Sequence, residues 1–161
     1  MQKTNYTTEQ ESFWAGEFGS EYISRNEGEQ LLASNINFFS KTLRQVRRPT
    51  SCIEFGANIG MNIKAIKLLF PKIETHAIEI NSQAIDYLSE VVLPSNIMNK
   101  SIIEFTPLRT WDLVLIKGVL IHINPDKLNI VYDSLVRATN KYLLIAEYYN
   151  PKPVALTYRG H

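Results

Sequence analysis

The sequence predicts an α/β domain with a mostly parallel sheet and helices on both faces. Three observations predict it. Two runs, Asp112-Leu113-Val114-Leu115-Ile116 and Tyr142-Leu143-Leu144-Ile145-Ala146, are apolar on both faces, as strands of a doubly covered parallel sheet are. Segments of this kind alternate with segments of helical spacing, which means βαβ units with right-handed crossovers. A small-residue loop, 54–60, sits between the first strand and the helix after it, where doubly wound sheets bind ligands.

Taken in order, residues 1–28 are polar with aromatic interruptions (Phe13, Trp14, Phe18, Tyr22) and three glycines, a pattern of short turns or helical pieces that predicts a lid or lead-in segment. Over 29–46, Leu31, Leu32, Ile36, Phe39, Leu43 and Val46 recur at helical spacing, and Pro49 follows where a helix has stopped. Then come a strand over 51–55, a helix over 59–70, a strand over 74–80, a helix over 82–92, a strand over 97–103, a strand over 111–116, a helix over 125–138 and a strand over 142–147. Asn124-Pro125-Asp126 supplies an N-cap, a proline at the first helical position and an acid in the first turn. The chain thus divides into the segment 1–28 and a ligand-binding domain over 29–161, without repeats.

Composition narrows the function classes. The 161 residues fit one domain, and 45% apolar with 20% charged residues excludes a disordered chain or a disulfide-dense scaffold. A net charge of +1 points to no polyanionic partner, so no nucleic acid is expected; Lys41, Arg44, Arg47 and Arg48 read as a solvated helix end. No apolar run reaches the ~18–20 residues of a membrane span, so no membrane partner is expected. One cysteine, Cys52, within an apolar strand, makes the reducing cytoplasm the expected location. No metal site is expected.

Three ligand chemistries compete for the loop. A dinucleotide fingerprint starting at Gly56 needs glycine where the chain has Asn58 and Met61, which disfavours an NAD-linked oxidoreductase; a P-loop needs a Gly-Lys-Ser/Thr ending, which is absent. The loop instead places Glu54, Gly56, Asn58 and Gly60 at every second position. The glycines let backbone approach a ligand, Asn tolerates positive φ, and Glu54 can accept a hydrogen bond from a ligand ammonium. The alternative is a tight strand-to-helix turn with a solvated Glu. Glu79, ending the next strand, is placed to take both ribose hydroxyls of a nucleoside. Together the two carboxylates favour an adenosyl ligand without pyrophosphate, such as S-adenosylmethionine (SAM).

The segments TEQESFWAGEFGSEYISRNEGEQL, EFGANIGMNIKAIKLLFP, HAIEINSQAIDYL and WDLVLIKGVLIHINPDKLNIVYDSLVRATNKYLLIAEYYNPKPVALTYRGH resemble the pseudaminic acid biosynthesis-associated methylases, a group of class I SAM-dependent methyltransferases. The loop and acidic pair are general to class I enzymes; W-A-G-E-F-G and A-E-Y-Y-N-P carry the narrower likeness. The resemblance implies a Rossmann-like class I methyltransferase sheet, SAM as cofactor, and a small-molecule acceptor of sugar or nucleotide-sugar type. It makes Glu54, Gly56, Ala57, Asn58 and Gly60 the methionine-side loop and Glu79 the ribose ligand, with Ile80 beside the adenine. Ser101 and Ile102, at the end of the third strand, fall around the adenine, Ser101 standing where such enzymes usually have Asp. Lys117 and Gly118 end the fourth strand near the methionine and methyl group.

Such folds carry seven strands, the last two a terminal hairpin, and this sequence shows five. The expectation is a truncated C-terminal side, with an open sheet edge suited to a homodimer contact. Catalytic competence is then open, and a SAM-binding module or partner subunit without turnover is the alternative. For catalysis, His122 lies just past the fourth strand as a general base for a hydroxyl acceptor, or else as a structural histidine. Tyr148 or Tyr149, past the fifth strand, can orient the acceptor or face the sulfonium, or serve as lid. Tyr22 and Arg25 can close over the donor, Arg25 pairing with its carboxylate.

Overall fold

The computed structural model describes residues 6–152. Its helices are α1 (Glu9–Ala15), α2 (Glu17–Tyr22), α3 (Glu29–Thr42), α4 (Met61–Leu69), α5 (Ser82–Leu88) and α6 (Leu128–Ala138). Its strands are β1 (Ser51–Phe55), β2 (Glu74–Glu79), β3 (Ile97–Asn99), β4 (Trp111–Lys117) and β5 (Thr139–Ala146). The strands form one parallel sheet in the order β3-β2-β1-β4-β5. The order reverses between β1 and β4, and the crevice at the carboxyl ends of these two strands is the topological switch point.

Strand alternation divides the core between the two faces. Cys52, Leu113, Leu115 and Leu144 point toward α3 and α4, where Phe39, Ala65 and Ile66 are fully buried. Ala77 continues that face beneath Ile63 and Leu88. Ile53, Phe55, Val114 and Ile116 point the other way, against Val131 and Leu135 of α6 and the loop residues Ile102 and Phe105. Each such buried side chain stabilises the fold by roughly 1.5–3 kcal/mol, so both helical layers are needed to hold a sheet this apolar. At the amino ends of the strands, Asp112 accepts hydrogen bonds from Thr50 N–H (2.9 Å), Thr50 Oγ1 (2.8 Å), Asn140 Nδ2 (2.9 Å) and Lys141 Nζ (3.0 Å). These hold its carboxyl well below the usual range.

The elements follow the sequence pattern, and their ends differ for local reasons. β3 is shorter than expected and stops at Asn99. Ser101 Oγ accepts the Ile103 N–H (3.1 Å) and Ser101 O the Glu104 N–H (3.2 Å), so a side-chain turn replaces the ladder. Ser101 and Ile102 therefore lie on the loop beyond the strand and not at its end. The first turn expected of α6 is 3-10, over Pro125–Lys127, with Asn124 Oδ1 accepting the Asp126 N–H (2.9 Å). β5 begins at Thr139, three residues earlier than expected, because it pairs with Trp111 across a register shift. Among the described residues β5 is an edge, pairing with β4 alone.

The N-terminal pieces are helical and packed. A capping box starts α1, with Glu11 N–H donating to Thr8 Oγ1 and Glu11 Oε2 accepting the Thr8 N–H. Asn81, the N-cap of α5, joins this segment to the body: its Nδ2 donates to Trp14 O (3.1 Å), Gly16 O (3.2 Å) and Ser20 Oγ (3.2 Å). Gly19 permits the approach, since a Cβ there would lie 1.8 Å from Trp14 O and 2.8 Å from Asn81 Nδ2. No helix among the described residues is long and apolar enough to cross a membrane.

Candidate functional site

A cavity of about 350 Å³ opens at the switch point, within the ~300–1,000 Å³ usual for small-molecule sites. Its floor is the loop after β1, the ends of β2 and β4 and the segment after β3; its roof is the N-terminal segment, through Glu11, Trp14 and Tyr22.

The loop after β1 is shaped by backbone requirements. Gly56 has φ +75° and donates its N–H to Ile78 O (2.9 Å); a Cβ would sit 2.8 Å from Val119 Cγ2. Ala57 N–H shares Ile78 O (3.0 Å), and Asn58 adopts φ +49°. That turn aims the Asn58 N–H at Glu79 Oε2 (2.6 Å), while Asn81 N–H takes Oε1 (2.8 Å). Burial raises the Glu79 carboxyl, and the backbone donors of Asn81, Asn58 and Ile80 oppose it. Each oxygen keeps a lone pair for a ligand donor.

Gly56, Ala57, Asn58, Glu79, Ile80, Ser101, Ile102, Lys117, Gly118, Tyr22, His122 and Tyr148 all line the cavity. Three expected residues do not. Gly60, with φ +83°, caps α4 and packs toward Leu88. Arg25 lies outside, its guanidinium 6.0 Å from the ring centres of Phe18 and Tyr22. Glu54 is 1% exposed and sits behind the wall, its Oε1 accepting Asn62 Nδ2 at 2.6 Å. β1 alternation explains this: Glu54 shares the face of Cys52 and so points at α4 rather than into the crevice. Burial pushes its carboxyl up to about 8, against the Asn62 hydrogen bond and the Lys117 charge.

His122 lies just beyond β4, its ring 4.6 Å from that of Trp14. Burial lowers its pKa below the ordinary imidazole value, partly opposed by the negative charge of Glu147. Glu147 Oε1 accepts the N–H groups of Val119 (2.9 Å) and Leu120 (3.0 Å) and so shapes the turn that carries His122. Tyr148 is on the rim and 81% exposed; Tyr149 is 87% exposed.

Sequence reasoning missed Glu11, Trp14, Asn62 and Asn81. The T-x-x-E capping box of Thr8–Glu11 was a legible signal for a helix start, but nothing local says that this helix covers a cavity. Five buried polar atoms on cavity-lining residues lack a hydrogen-bond partner among the described residues: Gln10 Oε1, Glu11 Oε1, Trp14 Nε1, Asn58 Oδ1 and Asn62 Oδ1. Most buried polar groups in folded proteins are paired, and these five lie together around one cavity, where a ligand with matching donors and acceptors could complete the bonding.

The fold superposes on those of solved methyltransferases. The plantazolicin methyltransferase BpumL, solved in complex with SAH, superposes with a TM-score of 0.66 at 16% identity, over 84% of this chain and 56% of its own. The sugar N-methyltransferase KedS8 from Streptoalloteichus sp ATCC 53650 gives 0.66 at 14% identity, over 85% and 56%. The mitomycin 7-O-methyltransferase MmcR gives 0.67 at 18% identity, over 92% and 45%. The fold is that of the class I methyltransferases. The chain spans about half the length of these structures. No family model matches the sequence, and no curated protein matches it. Within the class I methyltransferase fold, the cavity occupies the crevice of the reversed strand order, and the N-terminal segment roofs it.

Proposed function

We propose that this chain is a SAM-binding methyltransferase domain acting on a small-molecule acceptor. The observation that carries the reading is the group of unpartnered buried polar atoms around the cavity, beside a carboxylate presented at the end of β2. Each such atom left dry costs ~1–3 kcal/mol, so a ligand with matching donors and acceptors is strongly favoured there. In this reading Glu79 takes the ribose hydroxyls, and Ile80 and Ile102 border the base. The backbone of Gly56–Asn58 and Lys117–Gly118 flanks the amino-acid tail. Glu54 acts through Asn62: by accepting its Nδ2 it turns Asn62 Oδ1 toward the cavity as an acceptor for the ammonium. The presence of SAH in the BpumL structure supports the choice of ligand.

SAM would supply a methyl group already activated on a positively charged sulfur. The chain's part is then to align the acceptor, exclude water and take a proton. Trp14 and Tyr22 roof the cavity against solvent, and His122, kept neutral by burial, is placed to accept the proton of an acceptor hydroxyl. A sugar or nucleotide-sugar acceptor is supported by the sequence resemblance and by the likeness to the sugar N-methyltransferase KedS8. The exposure of Tyr148 and Tyr149 favours a second reading, a SAM-binding module without a closed acceptor pocket. The β5 edge, unpaired among the described residues, is where two copies would pair.

Titration calorimetry with SAM tests the ligand, and transfer of labelled methyl to a panel of nucleotide sugars tests the reaction. Saturable binding weakened by Glu79→Ala is expected; a folded chain that takes up no SAM at millimolar concentration overturns the proposal. Binding without transfer to any acceptor selects the second reading.

A further inference from the structure

We propose that Glu11, reaching into the cavity from the N-terminal segment, is the residue that selects the nucleobase of the bound donor, by accepting a hydrogen bond from an exocyclic amine. The inference rests on the proposed adenosyl ligand. Glu11 is 5% exposed and lines the cavity. Its Oε2 is occupied by Thr7 Oγ1 (2.8 Å), Thr8 N–H (2.9 Å) and Thr8 Oγ1 (2.9 Å). Its Oε1 is buried and has no hydrogen-bond partner among the described residues. The Ser101 hydroxyl lies beside the carboxylate, near enough to favour its charge without closing a bond in good geometry.

The strand order decides which part of the ligand Glu11 meets. The cavity runs from the segment after β3, through Glu79 at the end of β2, to the crevice between β1 and β4. With ribose at Glu79 and the amino-acid tail toward β1 and β4, the base extends toward the β3 side, which is where Ser101 and Glu11 stand. An ionised oxygen there accepts hydrogen bonds and donates none. Burial would raise the Glu11 carboxyl, but the adjacent Ser101 hydroxyl and the donors from Thr7 and Thr8 outweigh it, so the group stays charged at neutral pH. The 6-amino group of adenine satisfies such an oxygen; the 6-oxo group of a deaminated base brings two acceptors together at that position, and the base must shift to offer its N1–H to the buried carboxylate instead.

The test compares S-adenosylhomocysteine with S-inosylhomocysteine, which differ at that position, by calorimetry on the full chain. The wild type is expected to bind the adenosyl compound on the order of 10-fold or more tightly. Glu11→Gln is expected to narrow the ratio to within about 3-fold, because the amide keeps the capping bond to the Thr8 N–H and offers an N–H to a 6-oxo group. Glu79→Gln is expected to weaken both ligands alike. A wild-type ratio within about 3-fold overturns the assignment without need of a variant. So does a Glu11→Gln chain of unchanged melting temperature that retains the wild-type ratio. A wild type that binds neither compound overturns the SAM reading itself, and the inference with it.

Discussion

Glu79 Oε2 accepts the backbone N–H of Asn58 at 2.6 Å, a bond that ties the ends of the first two strands together across the mouth of the cavity. It exists because Asn58 adopts a left-handed conformation, and it leaves the carboxylate fixed with lone pairs directed outward. Glu79→Gln keeps the size of the side chain but sets an amide N–H against either Asn58 N–H or Asn81 N–H. The expected outcome is a loss of SAM affinity of about 10- to 100-fold and a loss of stability of about 1–3 kcal/mol. Calorimetry and denaturant unfolding measure the two separately.

Attachment of the N-terminal segment depends on Asn81 and Gly19. Gly19→Ala puts a methyl group against Trp14 O and Asn81 Nδ2, and the segment must shift to admit it. Limited proteolysis with mass mapping is expected to show faster cleavage within 9–25 and unchanged protection of the sheet. Asn81→Ala is expected to do the same and, through loss of the α5 cap, to destabilise the whole chain by about 0.5–2 kcal/mol.

The Glu54 carboxyl is pushed up to about 8 by burial, so the folded chain binds a proton that the unfolded chain releases near the ordinary Glu value. Stability from this group is fully present below the unfolded pKa and is lost as pH rises toward 8. Glu54→Gln resembles the protonated form and can keep the Asn62 bond. Unfolding of the ligand-free protein is expected to show the variant gaining on the wild type between about pH 4.5 and 8, with little difference at the acid end. A difference that does not vary with pH would contradict a buried, proton-binding Glu54.

His122 is held below its ordinary pKa, so the neutral imidazole persists into mildly acid solution. With a hydroxyl acceptor, His122→Gln is expected to lower kcat by about 10²–10⁴-fold and to leave SAM affinity within about 3-fold. Glu147→Gln keeps an oxygen for the Val119 and Leu120 N–H groups but removes the charge that favours imidazolium. The acid limb of the kcat profile is therefore expected to move to lower pH. Stopped-turnover assays across pH 5–8 would record it.

The order of strands and helices was legible because each element announces itself locally. β4 is apolar over nearly its whole length, and Asn124-Pro125-Asp126 joins an N-cap, a proline at the first helical position and an acid in the first turn. Element ends were less legible, since they turn on single side-chain bonds such as Ser101 Oγ with Ile103 N–H. Within the site, Asn58 and Glu79 were readable from loop chemistry and strand ends. The place of Glu54 was not: whether a side chain at a strand's end enters the crevice depends on which face it shares with its neighbours, and Glu54 shares that of Cys52.

What the sequence by itself determined is the parallel sheet and the small-residue loop after its first strand, because hydrophobic periodicity and glycine conformation are properties of a few adjacent residues. Only the tertiary structure decided that α1 and α2 roof that loop. Asn81 meets Trp14, Glu11 meets Ser101 and Trp14 meets His122 across separations of 67, 90 and 108 residues. No local pattern encodes such encounters. They follow from packing a whole chain so that its buried polar groups find partners, and around this cavity several have none among the described residues, which is what the proposed ligand would satisfy.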